Sequence, residues 1–346
     1  MATPLRLQTL EPRMARLCLE VESFAREPFG SPPPLPRLQG GRLLLSLSGG
    51  VDSTALAVIF ACLAPRLEAT LFAAHLDHGL RGESVEDAAH VAELCDRLGI
   101  HLTSERRDVA GLAAERKIGV EEAGREARTE LLERVRRDCA ADVILQGHQL
   151  DELAEDMLMR LIRGTGWPAL AGMEAWDPAR NLLRPLLLTP KSELADLVRS
   201  VGLTWREDAT NADPGCTRNR VRLDILPRIA VENPKFPETA GGLWKLARLD
   251  AAYWEERMAS VPLHHDRDGI SIHSPALREA PMALRLRVLK NAVESAGPGQ
   301  PLLDSLRNLD RAVMEKRTGV VVQLPGSKEA RVERDRVRIV PGKMSR

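Results

Sequence analysis

A chain of 346 residues, 44% hydrophobic and 28% charged, has the composition of an ordinary soluble globular protein, and its length predicts two domains rather than one small one. Lys plus Arg and Asp plus Glu balance at 49 each, so charge neither demands nor excludes a nucleic-acid partner, because a neutral total can hide a basic face. The longest apolar run, Ala55 to Ala64, is half of a membrane span, Arg and Glu interrupt the first 25 residues, and the five scattered cysteines form no disulfide or zinc pattern, so a reduced, cytoplasmic chain without a membrane segment is expected.

Residues 1–41 read as an N-terminal extension, with an amphipathic helix over 12–26 and a linker marked by Pro32 to Pro34 and Gly40-Gly41. A short apolar strand over Leu43–Leu47 follows, bounded by glycine and typical of a buried parallel strand. Then come an almost wholly apolar helix over Ser53–Ala64, a strand over 70–75 and a helix over 84–98. The pattern repeats with a strand at 101–106, a helix at 121–139, a strand over Asp142–Gly147 and a helix at 150–162. This βαβ alternation predicts an α/β domain over 42–230, a doubly wound parallel sheet with ligands bound at the carboxyl ends of its strands. Its later part holds an apolar stretch over Asn181–Leu188, a helix over Lys191–Val201 capped by Thr189 with Pro190 at its first position, and a loop over 206–220. Residues 231–346 predict a second, smaller α+β domain, with helices at 237–258, 276–295 and 301–316 and strands at 319–324 and 330–340.

The sharpest chemical signal is Ser48-Gly49-Gly50-Val51-Asp52-Ser53-Thr54, set between a strand and a helix. Glycines let the backbone turn its amides toward phosphate oxygens, the helix start adds positive potential, and the hydroxyls of Ser48, Ser53 and Thr54 add donors. The GK[ST] ending of a Walker loop is missing. A carboxylate beside phosphates needs a cation between them, which makes Asp52 a candidate Mg²⁺ ligand, though it can also cap the helix.

Three further segments sit where strand ends are expected. His75-Leu76-Asp77-His78-Gly79-Leu80-Arg81-Gly82-Glu83-Ser84 puts two imidazoles and a carboxylate at the second strand's end, as ligand contacts, a metal site or a structural turn. Gly147-His148-Gln149-Leu150-Asp151-Glu152-Leu153-Ala154-Glu155 opens a helix on which Glu152 and Glu155 share a face, suited to an amino group or a metal. Asp208 to Asp213, then Thr217-Arg218-Asn219-Arg220-Val221-Arg222, alternates arginines in a loop turning into a helix, with Arg220 the best placed to reach a nucleotide. Ala123-Gly124-Arg125-Glu126-Ala127-Arg128 adds two arginines on one helix face, and Leu324-Pro325-Gly326 marks a turn.

The SGGVDS loop resembles that of the PP-loop, or N-type ATP pyrophosphatase, superfamily, whose members cleave ATP between its α and β phosphates and pass AMP to a substrate oxygen. The three other segments resemble the HxDHGLRxES, GHxxDDxAE and DxxNxDxxxxRNRxR stretches of tRNA(Ile)-lysidine synthetases. Glu152 stands where that family commonly has Asp, and Thr129 where it has Tyr. The resemblance covers residues 42 to about 230 with specific motifs. It implies ATP and Mg²⁺ as cofactors, and the isoleucine tRNA with a CAU anticodon and L-lysine as substrates. It further implies Asp52, Arg128, Glu152, Glu155 and Arg220 as catalytic residues, and Ser48 to Thr54, His75, His78, Gly147 and His148 as the nucleotide site. A homodimer is compatible with it. The second domain, with Arg285, Arg287, Lys290, Arg307, Arg311, Lys316 and Arg317, would grip tRNA phosphates. A tRNA thiolase of the same superfamily is the nearest rival, weighed against by the absence of a CxxC pair; a small-molecule amidotransferase such as NAD synthetase and a non-catalytic RNA-binding protein are more distant ones.

Overall fold

A computed structural model describes residues 5–31, 33–79, 84–206, 217–267 and 269–341. Leu80 to Glu83, the 208–213 stretch and Cys216 lie outside the described residues. The chain divides into two compact units between Arg248 and Leu249.

The first unit is built on six strands, β1 (Arg42–Ser46), β2 (Thr70–Asp77), β3 (His101–Arg106), β4 (Val143–Gln146), β5 (Trp176–Asp177) and β6 (Leu182–Leu183). Their order is β3-β2-β1-β4-β6-β5, parallel throughout except for β5 against β6. The helices are α1 (Pro12–Arg26), α2 (Val51–Leu67), α3 (Ser84–Leu98), α4 (Val109–Arg116), α5 (Val120–Asp138), α6 (Leu150–Ile162) and α7 (Lys191–Ser200). After them come α8 (Thr217–Arg220), a π-helical turn over Val221–Ile225, α9 (Leu226–Glu232) and α10 (Phe236–Met258), within which the division between the units falls.

β1 explains the layering. Leu43 and Leu45 point to one side and pack with Val21, Leu56, Ile59, Val91 and Leu194 from α1, α2, α3 and α7. Leu44 points to the other and packs with Val109, Ala127 and Leu131 from α4 and α5. A strand covered on both faces must be apolar at every position, which is why its sequence does not alternate. Each of these leucines is fully buried and contributes about 2 kcal/mol. The apolar helix α2 is enclosed for the same reason, with twelve of its seventeen residues buried. A separate core joins α6 to the first half of α10 through Leu150, Leu153, Trp244 and Ala247.

Several boundaries differ from the sequence reading. Helix α2 continues through Pro65 to Leu67. Pro190, extended at φ −62° and ψ 140°, is itself the N-cap of α7, so Thr189 precedes the cap. Helix α4 was not anticipated; the Asp108 carboxylate caps it by accepting from the Gly111 amide at 2.9 Å.

Among the described residues the second unit holds the end of α10, a five-stranded antiparallel sheet ordered β7-β8-β11-β10-β9, and three further helices. Its elements are β7 (Leu263–Asp266), β8 (Gly269–His273), α11 (Ser274–Glu279), α12 (Met282–Ser295), α13 (Leu303–Met314), β9 (Val321–Leu324), β10 (Lys328–Val332) and β11 (Arg336–Pro341). The single helix expected over 276–295 is two, because Pro281 adopts ψ 149° and starts α12 afresh. The strand expected over 330–340 is the hairpin β10–β11. Inside this unit Lys328 is buried, and its Nζ donates to the carbonyls of Val293, Gly297 and Gly299 at 2.6, 2.8 and 3.2 Å, closing the end of α12.

Candidate active site

The loop from Ser48 to Thr54 turns between β1 and α2. Gly49 takes φ +86°, a conformation strained for any side chain, and a Cβ there would come within 3.3 Å of Val91 Cγ2. The loop braces itself: the Ser48 amide donates to Ser53 Oγ at 3.2 Å, and Ser53 Oγ donates to the Gly50 carbonyl at 3.1 Å. Gly147, at the end of β4, lies against the start of α2, where a Cβ would approach the Asp52 carbonyl oxygen to 3.0 Å. Gly49 is thus required by its backbone angle and Gly147 by close approach of the chain.

Around this loop the described residues leave buried polar atoms without hydrogen bonds: Asp52 Oδ1, Thr54 Oγ1, His75 Nε2, His90 Nε2 and His148 Nδ1. Buried polar groups are nearly always satisfied, so such a concentration marks a site completed by a ligand. Burial, reinforced by Glu152, raises the Asp52 carboxyl from 3.8 to about 7, against the opposing charge of Lys191. A buried carboxylate oxygen with no partner fits Mg²⁺. No cluster of three or more His, Cys, Asp or Glu occurs among the described residues, so most of the ion's ligands would be phosphate oxygens and water.

Helix α6 carries the acidic pair. The Gln149 side chain caps it, accepting from the Asp151 and Glu152 amides at 2.5 and 3.4 Å. Asp151 accepts from the Lys191 amide at 3.0 Å and so fixes the start of α7. Glu155 is buried and held by two arginines: Arg222 Nε and Nη2 donate at 2.6 and 2.9 Å, and Arg218 Nε at 3.2 Å. Glu152 lies farther from the same guanidinium groups, at 3.5 and 3.8 Å. Burial works against the charge of Arg218 and Arg222, but these carboxylates outweigh it and raise both pKa values. Arg218 and Arg222 are four apart and meet Glu155, whereas Arg220 is exposed and donates to Thr217 Oγ1 at 3.0 Å. The sequence alternation puts Arg220 forward to reach a nucleotide; helical geometry brings Arg218 and Arg222, on either side of it, to the carboxylates.

The histidines divide by role. His75 Nδ1 donates to the Leu47 carbonyl at 2.9 Å, tying β2 to the loop's approach. Asp77 accepts from the Gly79 amide at 2.8 Å and shapes the turn. His78 fits over Gly124, where a Cβ would meet its ring at 3.1 Å, and its Nε2 lies 3.4 Å from Arg128 Nη2. This contact brings the HxDHG and AGREAR segments together. His148 is driven down to about 3 by burial and then by Arg184, Arg218 and Arg128, so it is neutral at working pH.

Residues 23–229 match the PP-loop domain family. The tRNA(Ile)-lysidine synthase of Nitratidesulfovibrio vulgaris is 42% identical over 310 residues, covering 84% of this chain and 89% of that one. The chain belongs to the tRNA(Ile)-lysidine synthases of the PP-loop family. The member from Thermus thermophilus is 37% identical over 259 residues, covering 74% of this chain, and the chain spans about half that relative's length, 49%. Among solved structures, the U34-tRNA thiolase NcsA from Methanococcus maripaludis with its 4Fe-4S cluster superposes with a TM-score of 0.54 at 19% identity, covering 67% of this chain and 78% of that one. That likeness shows the shared fold alone.

Within the family fold, two residues at the site escaped the sequence reading. Lys191 acts on Asp52 and stands in the first turn of α7, where the helix dipole disfavours a cation; that misplacement was the available signal. Arg184 follows β6 directly and gave no local signal. In the second unit, Arg285 is engaged by Asp310 at 2.6 Å, Arg287 stacks on Trp254 at 3.8 Å, Lys290 meets Glu294 at 3.5 Å and Arg317 meets Glu315 at 2.8 Å, so these basic side chains already have partners inside the unit.

Proposed function

We propose that this chain uses ATP to join L-lysine to the wobble cytidine of the CAU-anticodon isoleucine tRNA, releasing AMP and diphosphate. The observation that carries the reading is the braced phosphate loop facing a ring of unsatisfied buried polar atoms, in a chain of this family. The carbonyl oxygen of the cytosine attacks the α-phosphorus and diphosphate leaves. The lysine ε-amine then attacks the same carbon, the bond to AMP breaks, and the amine loses a proton. Loop amides and the α2 start receive the diphosphate charge. Mg²⁺, held by Asp52 and phosphate oxygens, would add charge neutralisation when bound.

The two acidic side chains have separate tasks in this reading. Glu155 is committed to Arg218 and Arg222, and positions them. Glu152, with only long contacts, is the group able to take the lysine ammonium and its proton. Arg128, beside His78, and the exposed Arg220 would meet RNA phosphate in this reading. The enzyme would work in the cytoplasm; no described helix is long and apolar enough to cross a membrane. Sedimentation decides between monomer and homodimer.

Nucleoside mass analysis of the tRNA after incubation with enzyme, Mg-ATP and L-lysine tests the reading. Loss of the wobble cytidine with gain of lysine mass, abolished by Asp52→Ala, is expected. AMP release without lysine incorporation would sink the lysine assignment and make sulfur transfer the next assay.

A further inference from the structure

At the carboxyl ends of β4 and β6 a half-buried guanidinium has carboxylates near it but none in contact. Arg184 directly follows β6, which runs parallel to β4, and β4 leads to His148. Arg184 Nη1 donates to the Glu174 carbonyl at 2.7 Å, while its Nε is buried with no partner. The nearby carboxylates act on it only from a distance: Asp177 lies 3.8 Å from Arg180, and Glu174 pairs with Arg248 at 3.1 Å. No ion pair involves Arg184 among the described residues. Other withdrawn arginines have theirs, Arg285 with Asp310 and Arg222 with Glu155. Burial accordingly depresses the Arg184 pKa.

Two more buried groups belong to the same place. His148 Nδ1 has no hydrogen bond, and Arg218 Nη2, 3.5 Å from Glu152, makes none either. Arg184 and Arg218 are the two nearby charges that act most on His148. A guanidinium nitrogen shut off from water without an acceptor is unfavourable, and so are the idle polar atoms of His148 and Arg218. A fold retains such a group where a ligand completes it.

We propose that Arg184, with His148 and Arg218, forms a subsite for an oxyanion carried by a substrate other than ATP. The phosphate loop lies at the end of β1, and β6 is two strand positions away, about 10 Å at ordinary strand spacing. Planar guanidinium groups suit a two-oxygen anion, and a neutral imidazole can donate beside them without needing a counter-charge of its own. This inference rests on the reaction proposed above, in which two such oxyanions occur: the α-carboxylate of L-lysine and a phosphate of the tRNA.

Arg184→Met in the full chain separates ligand binding from a structural role. Losing the one bond to the Glu174 carbonyl lowers the ligand-free melting temperature by no more than about 4 °C, whereas a larger structural role lowers it further. With the subsite, the variant raises KM at least tenfold for L-lysine or for the tRNA and leaves the ATP KM within twofold. If the anion is the lysine carboxylate, wild type prefers L-lysine to L-lysinamide and the variant loses that preference. If it is an RNA phosphate, KM for L-lysine holds and the log–log salt slope of tRNA binding falls by about one. Arg184→Lys, which keeps charge but not the planar fork, gives an intermediate KM. A fall in melting temperature well beyond that of one hydrogen bond, failure to fold, or KM values within twofold for both substrates overturns the subsite. Wild type that forms no lysidine would defeat the reaction instead; the melting comparison and direct tRNA binding would still decide the subsite.

Discussion

Asp52 and His148 respond to pH with opposite signs. The Asp52 carboxyl titrates at about 7 in the fold against 3.8 ordinarily, so between those values the folded chain holds a proton that the unfolded chain has lost. Stability without ligand therefore falls as pH rises through that window. Asp52→Asn removes the loss, and melts without nucleotide at pH 8 should show a gain on the order of 1–3 kcal/mol that vanishes near pH 4. The same variant should fail to release AMP. His148, lowered from 6.5 to about 3, behaves the other way: the unfolded chain binds the extra proton, and stability is lost as pH falls below 6.5 toward 3. Its imidazole should contribute no limb near 6.5 to the pH profile of turnover, which His148→Gln checks by leaving the profile's shape unchanged. At Gly49, φ +86° makes Gly49→Ala strained by about 1 kcal/mol, and a displaced loop should raise the ATP KM about tenfold.

The pairing of α6 with the α8 segment depends on Glu155. Its side chain is 4% exposed, and removing it leaves two partly buried guanidinium groups without their acceptor. Glu155→Ala should cost about 3 kcal/mol in denaturant melts, while a change at the exposed Lys245, Lys245→Ala, stays within about 0.5 kcal/mol. These contacts also show what a sequence can and cannot reveal. The phosphate loop was readable because its chemistry is local: strand, glycines, hydroxyls and helix follow one another. The ion cluster was not, because Glu155 and Arg218 are 63 positions apart and nothing local says which arginine turns inward. The parallel sheet was readable from β1, β2 and β4, whose apolar runs report burial on both faces, whereas β3, a polar and largely exposed edge strand, was readable only from its place in the strand–helix alternation. The strands β5 and β6, two residues each, carry no pattern, and β7 (Leu-His-His-Asp) is polar at all but one position. Helix α4 escaped because eight residues give hardly two turns of periodicity.

The second unit has a core of its own beside the three clusters of the first, which predicts two calorimetric transitions. Asp310 pairs with Arg285 at side-chain exposures of 8% and 11%, so Asp310→Ala should destabilise the second unit by about 3 kcal/mol. One transition should shift and the other hold; movement of both by equal amounts would show a single cooperative molecule. Lys328 offers an independent clock for that second unit. Lys117, Lys235, Lys245 and Lys316 are exposed and should react at once with an acylating reagent, whereas the Lys328 amine, enclosed by three carbonyls, reacts only when its surroundings open. The rate at which peptide mapping finds acylated Lys328 would then report how often the hairpin and the end of α12 come apart, residue by residue and under native conditions.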